Sequence, residues 1–306
     1  MTSTPRLEPR ADGRPIAHRS LAAPSTAPRE QTNGFGPFGR ALNSQVQQFL
    51  QHLNQTNLLP APVVKDFLQF HGDRVGEWSS PERLGRALVT AGLLTSYQLD
   101  RVLSGASHGL VLGNYRVLER LGGGSVGVVF LAEHMLLKRR VAIKVLPADD
   151  NFPQSVIERF YSEMRVLAQL DHPHIVTAYD AGSIAPLERT QQTLHYLVME
   201  LMSGDLEQYV YDHGTLPIPL ACEWIRQAAS GLQQAHDHHL IHRDLKPSNL
   251  LRTEQNQIKL VDFGLAREFT SNRTEPRSLL GSIEFMAPEQ SIDPTSVRGA
   301  ADVYGL

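Results

Sequence analysis

The stretch His242-Arg243-Asp244-Leu245-Lys246-Pro247-Ser248-Asn249 decides how this chain is read. It matches the pattern H-R-D-L-x-x-x-N at every fixed position. A chance match of those fixed residues in a chain of this size is roughly a one-in-ten-thousand event at average residue usage. The spacing has a chemical reason. Asp244 is a carboxylate that can accept a proton, and Asn249 follows closely enough to offer an amide oxygen to a metal ion beside it. Downstream, Val261-Asp262-Phe263-Gly264 supplies a second oxygen ligand in Asp262. Carboxylate and amide oxygens suit a hard, octahedral cation such as Mg²⁺.

Working upstream, Leu121-Gly122-Gly123-Gly124-Ser125-Val126-Gly127-Val128-Val129 contains G-x-G-x-x-G at Gly122, Gly124 and Gly127. Glycine lets a backbone approach phosphate oxygens and turn its N–H groups toward them. Alone this is a weak signal. A dinucleotide-binding turn would need a helix directly afterwards, but Val128-Val129-Phe130-Leu131 reads as a strand. A hairpin lying over phosphates fits better. Val141-Ala142-Ile143-Lys144 then places a lysine on an apolar strand, which calls for an anionic partner. Glu163, on the helix that follows, is the favoured partner over Glu158, because Leu167 lies one turn later on the same face.

The pattern around these motifs is strands first, helices later. Residues 115–118, 126–132, 141–145, 175–179 and 194–200 are short, apolar and β-branched; 154–170, 205–212 and 220–239 carry helical spacing. This predicts an α+β domain in two lobes.

In combination, the motifs resemble the eukaryotic-like (Hanks-type) serine/threonine protein kinases of bacteria. The resemblance runs from residue 113 or 114 to 306 and includes His172-Pro173 and Ala287-Pro288-Glu289. It implies a β-rich upper lobe and a helical lower lobe that transfer the γ-phosphoryl group of ATP, with Mg²⁺, to Ser or Thr hydroxyls of proteins. Asp244 would be the base, with Lys246, Lys144 and Glu163 assisting, and Asn249 and Asp262 would hold the metal. Lys246 resembles the serine/threonine branch rather than the tyrosine branch. Leu121, Gly122, Gly124, Gly127 and Lys144 would contact the nucleotide, with Val129, Ala142 and Leu251 around the adenine and Met199 behind it. Glu200 and Met202 would offer backbone groups to the base. Asp205 would contact the ribose or simply cap the next helix. Ser282 would stand where the branch usually has Thr. Between Asp262 and Glu289, Thr274 or Ser278 is expected to be phosphorylated by another copy of the chain and bound by Arg243.

The resemblance also implies more lower-lobe helices than are present. Glu289 would pair with an arginine on one of them, and Asp302 would hold the catalytic segment from a longer helix F. The chain therefore reads as a C-terminally truncated kinase, expected to be unstable and weakly active or inactive alone. The competing reading is a pseudokinase-like scaffold, against which stand the intact Lys144, Asp244, Asn249 and Asp262.

Ahead of this region, residues 1–40 are rich in Pro, Arg, Ser and Thr and are expected to form a disordered tail. Residues 41–108 read as a small helical module of about four helices. Ser79 with Glu82 and Thr95 with Gln98 are candidate capping boxes, Leu94 and Leu99 a hydrophobic staple, and Gly105 a helix stop. Residues 83–99 also resemble a short module of bacterial secretion ATPases that can bind a cyclic dinucleotide. Docking or dimerisation is the plainer expectation.

Composition adds exclusions. A net charge of -3 over 306 residues gives no sign of a nucleic-acid binder. Cys222 is the sole cysteine, so no disulfide framework exists within the chain. No apolar run approaches the ~20 residues of a membrane span, and no secretory signal is evident. A cytoplasmic setting is expected. His236, His238, His239 and His242 cluster, but without a cysteine set that would favour zinc.

Overall fold

The computed structural model describes residues 42–124, 127–149, 152–186, 192–263, 284–292 and 297–306. The side chains of a few of these, Glu163 among them, lie outside the description. The expected N-terminal tail and the segment carrying Thr274, Ser278 and Ser282 also fall outside it.

The chain begins with helices α1 (Ser44–Gln55), α2 (Ala61–Phe70), α3 (Pro81–Thr90) and α4 (Ser96–Leu103), with a 3-10 turn at Gly72–Glu77. Their apolar faces converge on one cluster that includes Val46, Leu50, Leu53, Leu68, Leu84 and Leu88. Trp78 stacks on Phe67 at 5.3 Å between ring centres. Thr95 and Gln98 form the expected capping box at the start of α4. The α3 cap differs from expectation. Ser80, not Ser79, accepts from the Arg83 amide. Pro81 favours the first helical position, which puts the cap on the residue immediately before it. Gly105 takes φ 72°, the left-handed geometry of a helix stop.

A sheet follows: β1 (Val111–Leu112), β2 (Tyr115–Gly124), β3 (Gly127–His134), β4 (Arg140–Ala148), β5 (Ala178–Ile184) and β6 (Thr193–Met199), in the order β1-β2-β3-β4-β6-β5. Helix α5 (Gln154–Leu167) lies between β4 and β5 in sequence. Pleating gives β4 two faces. Val141, Ile143 and Val145 join the outer cluster with Tyr196 and Val198. Ala142 and Leu146 join the inner cluster with Phe160, Met164 and Leu167. Residues 175–179 are not the strand expected. Ile175 makes only an isolated parallel bridge to Leu260, and β5 starts at Ala178.

The lower lobe holds β7 (Gly204–Asp205), α6 (Leu206–His213), α7 (Ile218–Asp237), β8 (Leu250–Arg252), β9 (Ile258–Leu260), α8 (Pro288–Ile292) and α9 (Gly299–Gly305). β7, β8 and β9 form a small antiparallel sheet. The inner cluster continues into this lobe through Leu206, Trp224, Leu232, Leu250 and Leu260, so one apolar core joins the two lobes. The α+β, two-lobed arrangement is the one expected.

Candidate active site

Register on the sheet places the upper half of the site. Val129 lies opposite Lys144, and Ala142 lies opposite Met199. Cross-strand partners and alternate residues share a face, so Val129, Ala142, Lys144 and Met199 look the same way. Val129, Ala142, Met199, Met202 and Leu251 all belong to the inner apolar cluster, which gives a flat ring a greasy bed. Leu121 is about half exposed at the mouth, in an irregularity of the β2–β3 pairing.

The glycines differ in what demands them. Gly127 has φ 143°, and a Cβ there would come within 2.4 Å of the Val145 carbonyl. Gly122 pairs with Val129, and a Cβ there would meet nothing within 4 Å among the described residues. Protein packing does not require glycine at Gly122; an approaching ligand would. Gly124 pairs with Gly127 at the last rung of the β2–β3 ladder.

The lower half is built by the β8–β9 hairpin. Leu250 pairs with Leu260, so Asn249 just before the hairpin and Asp262 just after it fall side by side. The Val261 amide donates to the Asn249 carbonyl at 3.2 Å. Asn249 Nδ2 donates to the Asp244 carbonyl at 2.7 Å and to Asp244 Oδ2 at 3.3 Å. A carbonyl only accepts, so the amide NH₂ must face Asp244 and Oδ1 is left for a cation. Asp262 holds the other oxygens. That donor set fits Mg²⁺ chemistry. Lys246 Nζ lies 3.0 Å from Asp244 Oδ2. Lys144, its side chain 7% exposed, places Nζ 2.7 Å from Asp262 Oδ1. This pair joins the two halves. Glu163 sits on α5, and its side chain is one of those not described. Glu158 is exposed, 3.5 Å from Gln154 Nε2.

Asp302 holds the catalytic segment as expected, and other supports were not legible in local sequence. Asp302, 1% exposed, accepts from the amides of His242 at 2.8 Å and Arg243 at 2.7 Å, and meets His236 Nε2 at 2.8 Å. It does so from the short α9. Gln290 Nε2 donates to the Arg243 carbonyl at 3.0 Å. His242 Nε2 bonds the Val261 carbonyl at 2.9 Å, and its ring lies against Phe263 at 4.8 Å. Burial pushes His242 below the ordinary imidazole range, outweighing the upward pull of Asp302, of its bond to Val261, and of Asp244 and Asp262. It is neutral, and among the described residues its buried Nδ1 finds no partner.

Glu200 and Asp205 serve the frame. The Glu200 carboxylate accepts from the Thr177 amide at 2.6 Å and from Lys259 Nζ at 2.7 Å. Its own amide donates to the Thr177 carbonyl, which leaves its carbonyl as the group to offer a base. Asp205 caps α6, accepting from the Gln208 amide at 2.8 Å. The clustered histidines go separate ways, His236 to Asp302 and His238 to the Gln234 carbonyl. Among the described residues no group of three His, Cys, Asp or Glu side chains could hold a metal. A cavity of about 480 Å³ between α5 and the ends of β4, β5 and β6 is lined by Gln154, Tyr161, Arg165 and His195. None of the motif residues borders it.

The family model described as "Protein kinase domain" matches residues 115–306. The serine/threonine-protein kinase PrkC of Bacillus subtilis is 35% identical over 198 residues, covering 64% of this chain and 29% of that protein. PknA of Mycobacterium tuberculosis is 36% identical over 196 residues, 63% of this chain and 45% of that protein. Pkn1 of Myxococcus xanthus is 34% identical over 248 residues, 77% of this chain and 34% of that protein. The chain thus spans less than half the length of these relatives.

Proposed function

The chain belongs to the protein kinase domain family, and from that membership we propose that it transfers the γ-phosphoryl group of ATP to Ser or Thr hydroxyls of proteins, copies of itself included. The observation that carries this reading is the pair Lys144–Asp262 and the linked trio Asn249–Asp244–Lys246, brought together where the Val261 amide meets the Asn249 carbonyl. Val129, Ala142, Met199, Met202 and Leu251 hold the adenine, and the Glu200 carbonyl and Met202 backbone meet its edge. The backbone of Gly122, Gly124 and Gly127 covers the phosphates, where the open space above Gly122 leaves room. Lys144 exchanges Asp262 for phosphate oxygens. Asn249 Oδ1 and Asp262 would hold Mg²⁺, which when bound would supply positive charge beside the phosphates. Asp244 takes the proton of the attacking hydroxyl, and Lys246 beside it offsets negative charge.

Protein substrates follow from the family. We propose a cytoplasmic setting, which the use of ATP and the single cysteine support. Among the described residues no helix is long and apolar enough to cross a membrane.

The test compares Asp244→Asn with the unaltered chain. Phosphate incorporation should fall by about 10³-fold or more while ATP binding persists. Equal incorporation would falsify the assigned base.

A further inference from the structure

The glycine hairpin is held from outside the family domain, at a point its own strands leave bare. β1 covers β2 only at Tyr115 and Arg116. The next amide, Val117, donates to the Leu110 carbonyl at 2.9 Å. There the β2–β3 register shifts between Val117 and Glu119, leaving Leu118 without a partner in β3. A bulge of this kind leaves polar groups outside the ladder. Here the carbonyls of Val117 and Leu118 are both taken up by the start of α4. Gln98 Nε2 donates to the Val117 carbonyl at 2.6 Å, and Thr95 Oγ1 donates to the Leu118 carbonyl at 2.6 Å.

Both side chains are used twice. Thr95 Oγ1 accepts from the Gln98 amide at 3.1 Å, and Gln98 Oε1 accepts from the Thr95 amide at 2.8 Å. The capping box and the grip on β2 are one network, and Gln98 is 1% exposed within it. The other arm of the hairpin is touched as well. Tyr97, between the two clamp residues, packs its ring 6.2 Å from that of Phe130 on β3. Tyr97 belongs to both the module's apolar cluster and the outer cluster of the sheet. From Leu118 to Gly122 is about 13 Å of strand, a short and stiff lever.

We propose that Thr95 and Gln98 on α4, with Tyr97, are positioning residues that fix the glycine hairpin over the nucleotide phosphates, so that the helical module is a working part of the ATP site. This rests on the function proposed above.

The test uses the whole chain. ATP–Mg²⁺ affinity is measured by titration calorimetry, and amide hydrogen exchange is followed across residues 119–131. Thr95→Val and Gln98→Met should each weaken ATP binding by about fivefold or more and speed exchange in that segment. In the kinase assay the loss should appear in KM for ATP rather than in kcat. Thr95→Ser, which keeps the hydroxyl, should restore both readouts. Ser80→Ala, which removes the α3 cap without touching β2, should lower the melting temperature and leave ATP affinity alone. Unaltered affinity and exchange in Thr95→Val and Gln98→Met overturn the clamp, and so does an equal loss in Ser80→Ala. If the unaltered chain binds no ATP, the proposed function fails, and exchange across residues 119–131 still decides the clamp.

Discussion

A lysine tolerates burial only while an anion faces it, and at Lys144 that anion is Asp262. The pairing marks where a phosphate and a metal would compete for both groups. Lys144→Met removes the cation without changing the length of the side chain much. It should weaken ATP–Mg²⁺ binding by about tenfold, or roughly 1.4 kcal/mol. The melting temperature should move little, because Asp262 is a third exposed and water can take the lost partner's place. Calorimetry of the variant checks this, and an unchanged dissociation constant would remove Lys144 from the phosphate site. His242 gives a different kind of prediction. Its folded pKa lies below the ordinary 6.5 because it is buried. As pH falls through about 6.5, the unfolded chain takes up a proton that the folded chain refuses, so stability present above that range is lost by up to ~1.4 kcal/mol per pH unit. Burial lowers His195 and His172 in the same direction. The melting temperature should therefore drop between about pH 7.5 and 5.5, and less steeply in His242→Phe. An identical slope in the variant would show that His242 is not the source.

At the scale of elements, the β8–β9 hairpin is aligned by α7 rather than by its own short strands. Gln227 Oε1 accepts from the Ile258 amide at 2.8 Å, and Trp224 Nε1 donates to the Asn256 carbonyl at 3.0 Å. Gly231 lets the helix come close. A Cβ there would stand 2.6 Å from the His174 carbonyl, which itself accepts from the Leu260 amide at 2.9 Å. Because the clash is with backbone, Gly231→Ala should cost about 1–3 kcal/mol and shift β9 beside Asp262. Urea unfolding measures the first effect. A stability equal to that of the unaltered chain would mean that α7 slides freely over the sheet. None of this was legible in the sequence, where Gly231 is one glycine in an amphipathic helix. What was legible was dense and local: Asp244 and Asn249 within one segment, Lys144 on its apolar strand, the Thr95–Gln98 box. The misplaced strand shows the limit. β5 is a sheet edge with mostly open positions, Asp180, Ala181 and Ser183 among them, so it carries little apolar alternation to read. The apolar Ile175 and Val176 beside it are buried for another reason, the bridge to Leu260 and the Val176 amide on the Leu260 carbonyl.

Across the whole molecule, the helical module is bound to the upper lobe by more than the two clamp bonds. His108 meets the Gln192 carbonyl at 3.0 Å. Leu110 belongs to the module's core, while Leu112, two residues later, is fully buried in the outer cluster of the sheet. At Gly109, which takes φ +84°, a Cβ would come 2.9 Å from Leu194 Cδ1. Removing the module would uncover the Val117 and Leu118 carbonyls and the side of Phe130 that faces Tyr97. Each carbonyl that water then fails to reach costs about 1–3 kcal/mol, and the bared β2 edge becomes a template for pairing with other chains. Module and upper lobe should therefore melt together, in one calorimetric transition, despite the family match beginning only at Tyr115. A chain starting at residue 109 should melt at a lower temperature and aggregate sooner. Two resolved transitions in the full chain, or a shortened chain as stable as the full one, would show instead that the module merely rests on the lobe.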